Sequence, residues 1–285
     1  MSVMRILKDI IYGIDLDSIK GDTSLIIKSI EFDSRKVVKG SLFIAIKGDN
    51  KDGHEFIDKA IENGACAVLY SDYIFKDERI TFIKTPNTRK SLSIIASNFY
   101  ENPSKKIKLV GITGTNGKTT IATILYNLFN KAGFKSGLIS TINIQYNNIE
   151  IENHHTTPDS KKINQILYRM VENEIEFCFI EVSSHGIDQD RINGLKFYCG
   201  VFTNITRDHL DYHKSFASYR NVKKKFFDNL TRDSFAIINA DDKNSKFMVQ
   251  NCLSKIKTFG INNFADNNAK ILEIDFSGML LKINE

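Results

Sequence analysis

The stretch Gly111-Ile-Thr-Gly-Thr-Asn-Gly-Lys-Thr-Thr120 constrains this chain more than any other. It continues an apolar run, Leu109 to Thr113, and leads into Thr119 to Ala132, a segment with helical apolar spacing stopped by Gly133. A strand that passes through glycines into a helix turns successive backbone N–H groups toward one point, and the helix N-terminus adds positive charge there. Phosphate suits such a turn. Lys118 would reach the terminal phosphates, and the Thr119 hydroxyl would lie on Mg²⁺. The strict pattern GxxxxGK[ST] asks for glycine at 112, where this chain has Ile; Gly111 lies one position further out. The competing reading is a glycine turn that binds nothing.

The surroundings favour an α/β chain with two cores, as a length of 285 residues allows. In the first hundred residues, short strands are expected at Ser41–Ile46, Cys66–Tyr70 and Thr81–Lys84, with helices over 53–64 and 89–100. The polar stretch 101–106 reads as a linker. Beyond it, apolar strands at Leu109–Thr113, Lys135–Ile144, Phe177–Val182, Phe197–Ile205 and Phe235–Asn239 alternate with helices. One of these helices is opened by Pro158 and ends near Asn173; another spans Ser215–Leu230. Continuous apolar strands alternating with helices predict a parallel sheet covered on both faces.

Composition narrows the partners. Lys and Arg number 39 and Asp and Glu 34, a net charge of 39 − 34 = +5, which suits a polyanionic small molecule and does not call for nucleic acid. Cys66, Cys178, Cys199 and Cys252 lie far apart without a CxxC pair and read as reduced core residues. The N-terminus carries Arg5, Lys8, Asp9 and Asp15 within its apolar run, so no signal peptide or membrane span is expected, and the location expected is cytoplasmic.

Three further features point to the same end of the sheet. Glu181 closes an otherwise apolar strand, where a charge is costly unless it is paired or bound to metal. The C-terminal edge of a parallel strand is where open α/β sheets bind ligands, so Glu181 is expected to hold Mg²⁺; a salt-bridged core Glu is the alternative. His209 follows an apolar strand in the same way, and five of the six histidines fall between 154 and 213. Lys223, Lys224 and Lys225 occupy one helix about 100° apart, so they cannot share one face. Beside Phe226 and Phe227, at least one of them is expected to turn inward, where burial can make it reactive.

Together these segments resemble the Mur ligases, ATP-dependent enzymes of peptidoglycan synthesis. Gly114-Thr-Asn-Gly-Lys-Thr-Thr120 matches the family's phosphate-loop signature. Asp33-Ser-Arg35 with Gly40–Gly48 and Asp52-Gly-His54, then Thr156-Thr-Pro158, then Glu181–Gly186 with Gln189 and Arg191, then Asp208–His213 with Tyr219 and Lys223, are similar to the MurE type. That type adds an amino acid, diaminopimelate or lysine, to UDP-N-acetylmuramoyl-L-alanyl-D-glutamate. The type that adds D-Ala-D-Ala shares the N-terminal pattern.

The resemblance implies a small mixed α/β domain over 1–104 that binds the UDP-substrate, and a P-loop ATPase-like, mostly parallel-sheet domain over 105–285. It implies contacts to the uracil nucleotide from Phe32 and Ser34, with Asp49, Asn50 and Lys51 nearby. It places His155, Thr156, Thr157, Ser183, Gln189 and Arg191 on the muramoyl peptide. ATP would be held by Gly114, Thr115, Asn116, Gly117, Lys118, Thr119 and Thr120, with Asn239 against the adenine. Mg²⁺ would be held by Thr119, Glu181, His209 and a carbamylated Lys223, with Lys118, His209 and Lys223 in catalytic roles. It also implies that the central domain is incomplete at its C-terminus and that the amino-acid-binding domain is absent. A truncated product acting only as an ATP- and UDP-sugar-binding module, half of a split enzyme with a separate C-terminal polypeptide, and a sequence that stops short of the natural protein are the three readings of that end.

Overall fold

Short runs rich in β-branched and aromatic residues form strands here wherever both of their faces find cover. The computed structural model describes residues 3–48, 51–72, 80–276 and 278–284. The chain divides into two compact units, one comprising Met1–Pro103, Asp159–Arg169 and Gln189–Leu195, the other Ser104–Pro158, Met170–Asp188 and Lys196–Glu285.

The first unit holds a five-stranded sheet made of β1 (Ser18–Lys20), β2 (Ser29–Glu31), β3 (Ser41–Ile44), β4 (Ala65–Tyr70) and β5 (Thr81–Lys84). Their order is β1-β5-β4-β3-β2, with all neighbours parallel except β1 against β5. Side chains alternate across the pleat. Leu42, Ile44, Leu69 and Ile83 therefore join Leu92, Ile95 and Phe99 of a helix at Thr88–Phe99 on one face. Phe43, Val68 and Phe82 join Ile57 and Ala60 of α1 (Ile57–Glu62) on the other. The helix Thr88–Phe99, α2, starts where the Asn87 side chain accepts from the Lys90 N–H.

The second unit holds a ten-stranded sheet. In chain order its strands are β6 (Lys108–Thr113), β7 (Ser136–Ile139), β8 (Asn143–Tyr146), β9 (Ile149–Glu152), β10 (Phe177–Glu181), β11 (Cys199–Phe202), β12 (Phe235–Asn239), β13 (Lys255–Gly260), β14 (Asn267–Asp275) and β15 (Gly278–Asn284). They lie in the order β9-β8-β7-β10-β6-β11-β12-β13-β14-β15. The seven from β7 to β14 are parallel; β8, β9 and β15 are antiparallel additions at the edges. Val110, Ile112, Leu138, Phe179 and Val201 pack against Ala122, Ile121 and Leu125 of α3 (Lys118–Lys131). The opposite face meets the helix Phe216–Asp228, whose Phe226 approaches Gly111 and Gly200. The mostly parallel sheet expected from the sequence is present, and its central strands are covered on both faces, whereas β14 and β15 are largely exposed.

Two local expectations are corrected. The single strand expected over 135–144 is two antiparallel strands, β7 and β8. The chain reverses at Ser140, whose backbone N–H and hydroxyl both donate to the Asn143 carbonyl at 2.9 Å. The helix expected to open at Pro158 is α4 (Ser160–Glu172). Asp159, not the proline, caps it by accepting from the Lys162 N–H at 2.9 Å, which satisfies an amide the helix cannot. No helix among the described residues is long and apolar enough to cross a membrane.

Candidate functional site

The C-terminal ends of β6 and its two neighbours, β10 and β11, gather the second unit's candidate residues. From β6 the chain runs through α3 to β7 on one side, whereas from β11 it proceeds to β12 on the other. Loops that diverge this way leave a crevice, the usual ligand position in an open α/β sheet.

The turn after β6 has the glycines its backbone requires. Gly117 adopts φ 82° and ψ 0° as the residue before α3, a left-handed conformation that costs other residues. A Cβ on Gly114 would fall 1.9 Å from Thr203 Oγ1. Gly111 serves packing instead. A Cβ there would lie 2.6 Å from Phe226 Cζ and 2.8 Å from Phe197 Cε1, so this glycine lets helix and sheet approach.

The loop is stitched to the segment after β11. The Thr115 N–H donates to the Asn204 carbonyl at 2.9 Å, and the Asn116 N–H to Asn204 Oδ1 at 3.0 Å. Thr203 Oγ1 and Asn204 Nδ2 both donate to the Asn116 carbonyl, at 2.7 and 3.1 Å. Sequence reasoning passed over Asn204 and Thr203, although both stand in the polar run directly after an apolar strand. Lys118 Nζ donates to the carbonyls of Gly114 at 3.1 Å and Thr115 at 2.7 Å. Burial pushes its ammonium below the ordinary lysine range, partly opposed by the negative charges of Glu181 and Asp208.

Glu181 ends β10 with only 1% of its surface exposed. Its Oε1 accepts from Thr119 Oγ1 at 2.9 Å and from the Thr141 N–H at 2.7 Å. Its Oε2 is buried with no hydrogen-bond partner. No salt bridge to Glu181 is among those observed, so the salt-bridged alternative is not what the described residues build. A carboxylate oxygen left bare beside a threonine hydroxyl at the phosphate loop is the donor chemistry a hard divalent cation takes.

His209 sits in the left-handed region, φ 51°, ahead of the short helix Leu210–His213. Its ring packs edge-on to His185 at 5.0 Å and Tyr219 at 6.2 Å between centroids, and its Nε2 is 3.5 Å from Asp208 Oδ2. Among the described residues no group of three His, Cys, Asp or Glu side chains is arranged to hold a metal.

The three lysines of α5 (Phe216–Asp228) part company as helix geometry demands. Lys223 is 1% exposed; its Nζ donates to the Gly114 carbonyl at 2.8 Å and lies 5.0 Å from the centroid of the Tyr219 ring. Burial, with repulsion from Lys118, pushes its pKa down to about 7. Lys224 Nζ instead pairs with Asp228 Oδ1 at 2.6 Å, and Lys225 is exposed.

The loop ahead of α4 joins this cluster. Thr157 Oγ1 donates to the Glu181 carbonyl at 2.8 Å and accepts from the Ser183 N–H at 2.9 Å. Thr156 Oγ1 accepts from Thr141 Oγ1 at 3.1 Å, and the His155 carbonyl accepts from Asn153 Nδ2 at 2.7 Å. Thr120 lies in the first turn of α3. Asn239 Nδ2 donates to the Thr203 carbonyl at 2.8 Å, tying the end of β12 to that of β11.

The remaining candidates belong to the first unit. Phe32 is exposed, and Ser34 begins a short 3₁₀ turn capped by Asp33. Lys51 is exposed, while Asp49 and Asn50 lie outside the described residues. Gln189 Oε1 accepts from Arg191 Nε at 3.1 Å and Nη2 at 2.7 Å, so the amide orients the guanidinium. Asp52 and His54 form a clasp: His54 Nδ1 is 2.6 Å from Asp52 Oδ1, and its Nε2 accepts from the Ser71 N–H at 3.0 Å.

Comparison with known proteins bears on the whole length. Residues 112–284 match the model of the Mur ligase middle domain, and residues 26–100 that of the Mur ligase family, catalytic domain. The UDP-N-acetylmuramoyl-L-alanyl-D-glutamate--2,6-diaminopimelate ligase of Phocaeicola vulgatus is 48% identical over 282 residues, covering 98% of this chain and 58% of its own. The Cytophaga hutchinsonii protein of the same name is 46% identical with the same two coverages. A solved structure of a ligase of that name superposes with a TM-score of 0.82 at 24% identity, covering 98% of this chain and 57% of its own. The chain thus spans a little under three fifths of the length of these relatives.

Proposed function

Because this chain belongs to the Mur ligase family, we propose that it binds ATP and a UDP-N-acetylmuramoyl dipeptide and forms the nucleotide- and substrate-binding part of a ligase that adds diaminopimelate. The single observation that carries the reading is the juxtaposition of the phosphate loop with a bare, buried carboxylate oxygen: Thr119, at the first turn of α3, bonded to Glu181, whose Oε2 has no partner. The substrate is read from the names of relatives that are 46 and 48% identical to this chain.

In this reading the N–H groups of 114–119 and the start of α3 cradle the phosphates. Lys118 leaves the carbonyls of Gly114 and Thr115 to meet the terminal phosphate. Thr119 and Glu181 would hold Mg²⁺, with His209 and Lys223 as a carbamate as its further ligands. Mg²⁺ held there would supply positive charge against the phosphates, easing the approach of a carboxylate. The dipeptide's terminal carboxylate attacks the γ-phosphorus and ADP leaves; an amine then displaces phosphate from the acyl phosphate. His155, Thr156, Thr157, Ser183, Gln189 and Arg191 would hold the muramoyl peptide and its pyrophosphate, Phe32 and Ser34 would contact the uracil nucleotide with Asp49, Asn50 and Lys51 near it, and Asn239 would lie against the adenine. Carbamate formation on Lys223 needs a neutral amine, which a pKa pushed down to about 7 supplies near neutral pH; CO₂ forms the N–C bond and one proton is released. The domains in this reading are 1–104 and 105–285.

The test is nucleotide binding and ADP release with the UDP-linked dipeptide and diaminopimelate. Lys118→Ala should abolish MgATP binding and leave the fold intact; unchanged affinity contradicts the loop assignment. Turnover only after adding a C-terminal Mur ligase polypeptide supports a split enzyme. Nucleotide binding without turnover in either case favours a binding module.

A further inference from the structure

Tyr219 is the point at which the phosphate loop, Lys223 and the histidines meet. It is 1% exposed, in the first turn of α5. Its hydroxyl lies 3.1 Å from Thr115 Oγ1 in the loop. Its ring faces Lys223 Nζ at 5.0 Å and packs against His213 at 5.2 Å and His209 at 6.2 Å. Thr115 Oγ1 in turn accepts from the Thr206 N–H at 3.0 Å, and the Thr115 carbonyl accepts from Lys118 Nζ at 2.7 Å. One hydroxyl pair therefore braces the residue whose backbone receives both the Asn204 contact and the phosphate-loop lysine.

A phenylalanine would fill this space equally well, as Phe226 and Phe227 do further along the same helix, both buried. A buried hydroxyl costs free energy unless it is bonded, so its value here lies in the bond it makes. We propose that Tyr219 is a positioning residue of the nucleotide site, holding the phosphate loop through Thr115 and seating Lys223 against its ring. The inference rests on the phosphate-loop reading above and adds a residue that acts on the loop through Thr115.

The experiment is titration calorimetry of the full chain with MgADP, alongside thermal unfolding, for wild type, Tyr219→Phe, Thr115→Val and the double variant. Tyr219→Phe should bind MgADP about 5- to 10-fold more weakly, the loss expected for one hydrogen bond, with little change in thermal midpoint. In the Thr115→Val background, Tyr219→Phe should cause no further loss, because the hydroxyl's partner is already gone. Wild-type affinity in Tyr219→Phe, whatever its thermal midpoint, overturns the proposal, and so do losses in the two single variants that multiply in the double. If wild type fails to bind MgADP, the phosphate-loop reading falls and this one with it; normal wild-type binding with an unaffected Tyr219→Phe removes this one alone.

Discussion

Lys223 makes the stability of this chain depend on pH with a sign set by burial. Its pKa is pushed from 10.5 down to about 7, so between those values the unfolded chain binds a proton that the folded chain does not. Stability rises with pH wherever the unfolded state binds more protons. The penalty of holding the buried ammonium is thus fully present below pH 7 and is relieved as the pH climbs toward 10.5. At 1.36 kcal/mol per pKa unit the relief between pH 7 and pH 9.5 is about 3 kcal/mol, and no discount for solvent applies to a side chain this buried. Lys223→Met keeps an unbranched chain in the space and removes the titration; the Gly114 carbonyl keeps its bond from Lys118. Urea unfolding of both chains across that range, in CO₂-depleted buffer, measures the difference. Wild type should gain about 3 kcal/mol relative to Lys223→Met over that interval. A difference independent of pH would refute the claim that a protonatable amine is buried at the loop.

Two other outcomes follow from the same geometry. Glu181→Gln keeps the acceptor for Thr119 and Thr141 but loses the charge, so MgADP affinity should fall by on the order of 10- to 100-fold. With EDTA in place of Mg²⁺ the two proteins should bind ADP alike by calorimetry, and an equal loss without metal would contradict the role given to the carboxylate. Gly111→Ala should cost roughly 1–3 kcal/mol in denaturant unfolding, because its methyl would press on Phe226 and Phe197; a variant as stable as wild type would mean that the helix-to-sheet packing there is looser than observed.

The His185, His209, His213 and Tyr212 group illustrates where reading along the chain runs out. Histidine spacing marks the region, but only the fold puts His185 against Tyr212 at 4.2 Å and His213 at 5.7 Å, drawing together residues more than twenty positions apart. The Lys223–Lys225 run is the converse case. Helix periodicity alone required the three to diverge, and Phe226 and Phe227 marked the inward face. Which lysine reached the loop depended on α5 lying across Gly111 and Gly200, a matter of packing.

What the sequence determined by itself is local. Alternating apolar strands and helices, the glycine turn before Lys118 and the isolated Glu181 in an apolar run are all short-range patterns, because backbone sterics and burial act within a few residues. Tertiary structure decided what depends on distant neighbours. It left Oε2 of Glu181 bare while Oε1 was satisfied by Thr119 and Thr141, and it made Gly111 a packing residue. It also bound the loop to Asn204 and Tyr219, 88 and 104 residues away from their partners. Such contacts arise from strand order, and the order β7-β10-β6-β11 is not written in any one segment of the chain.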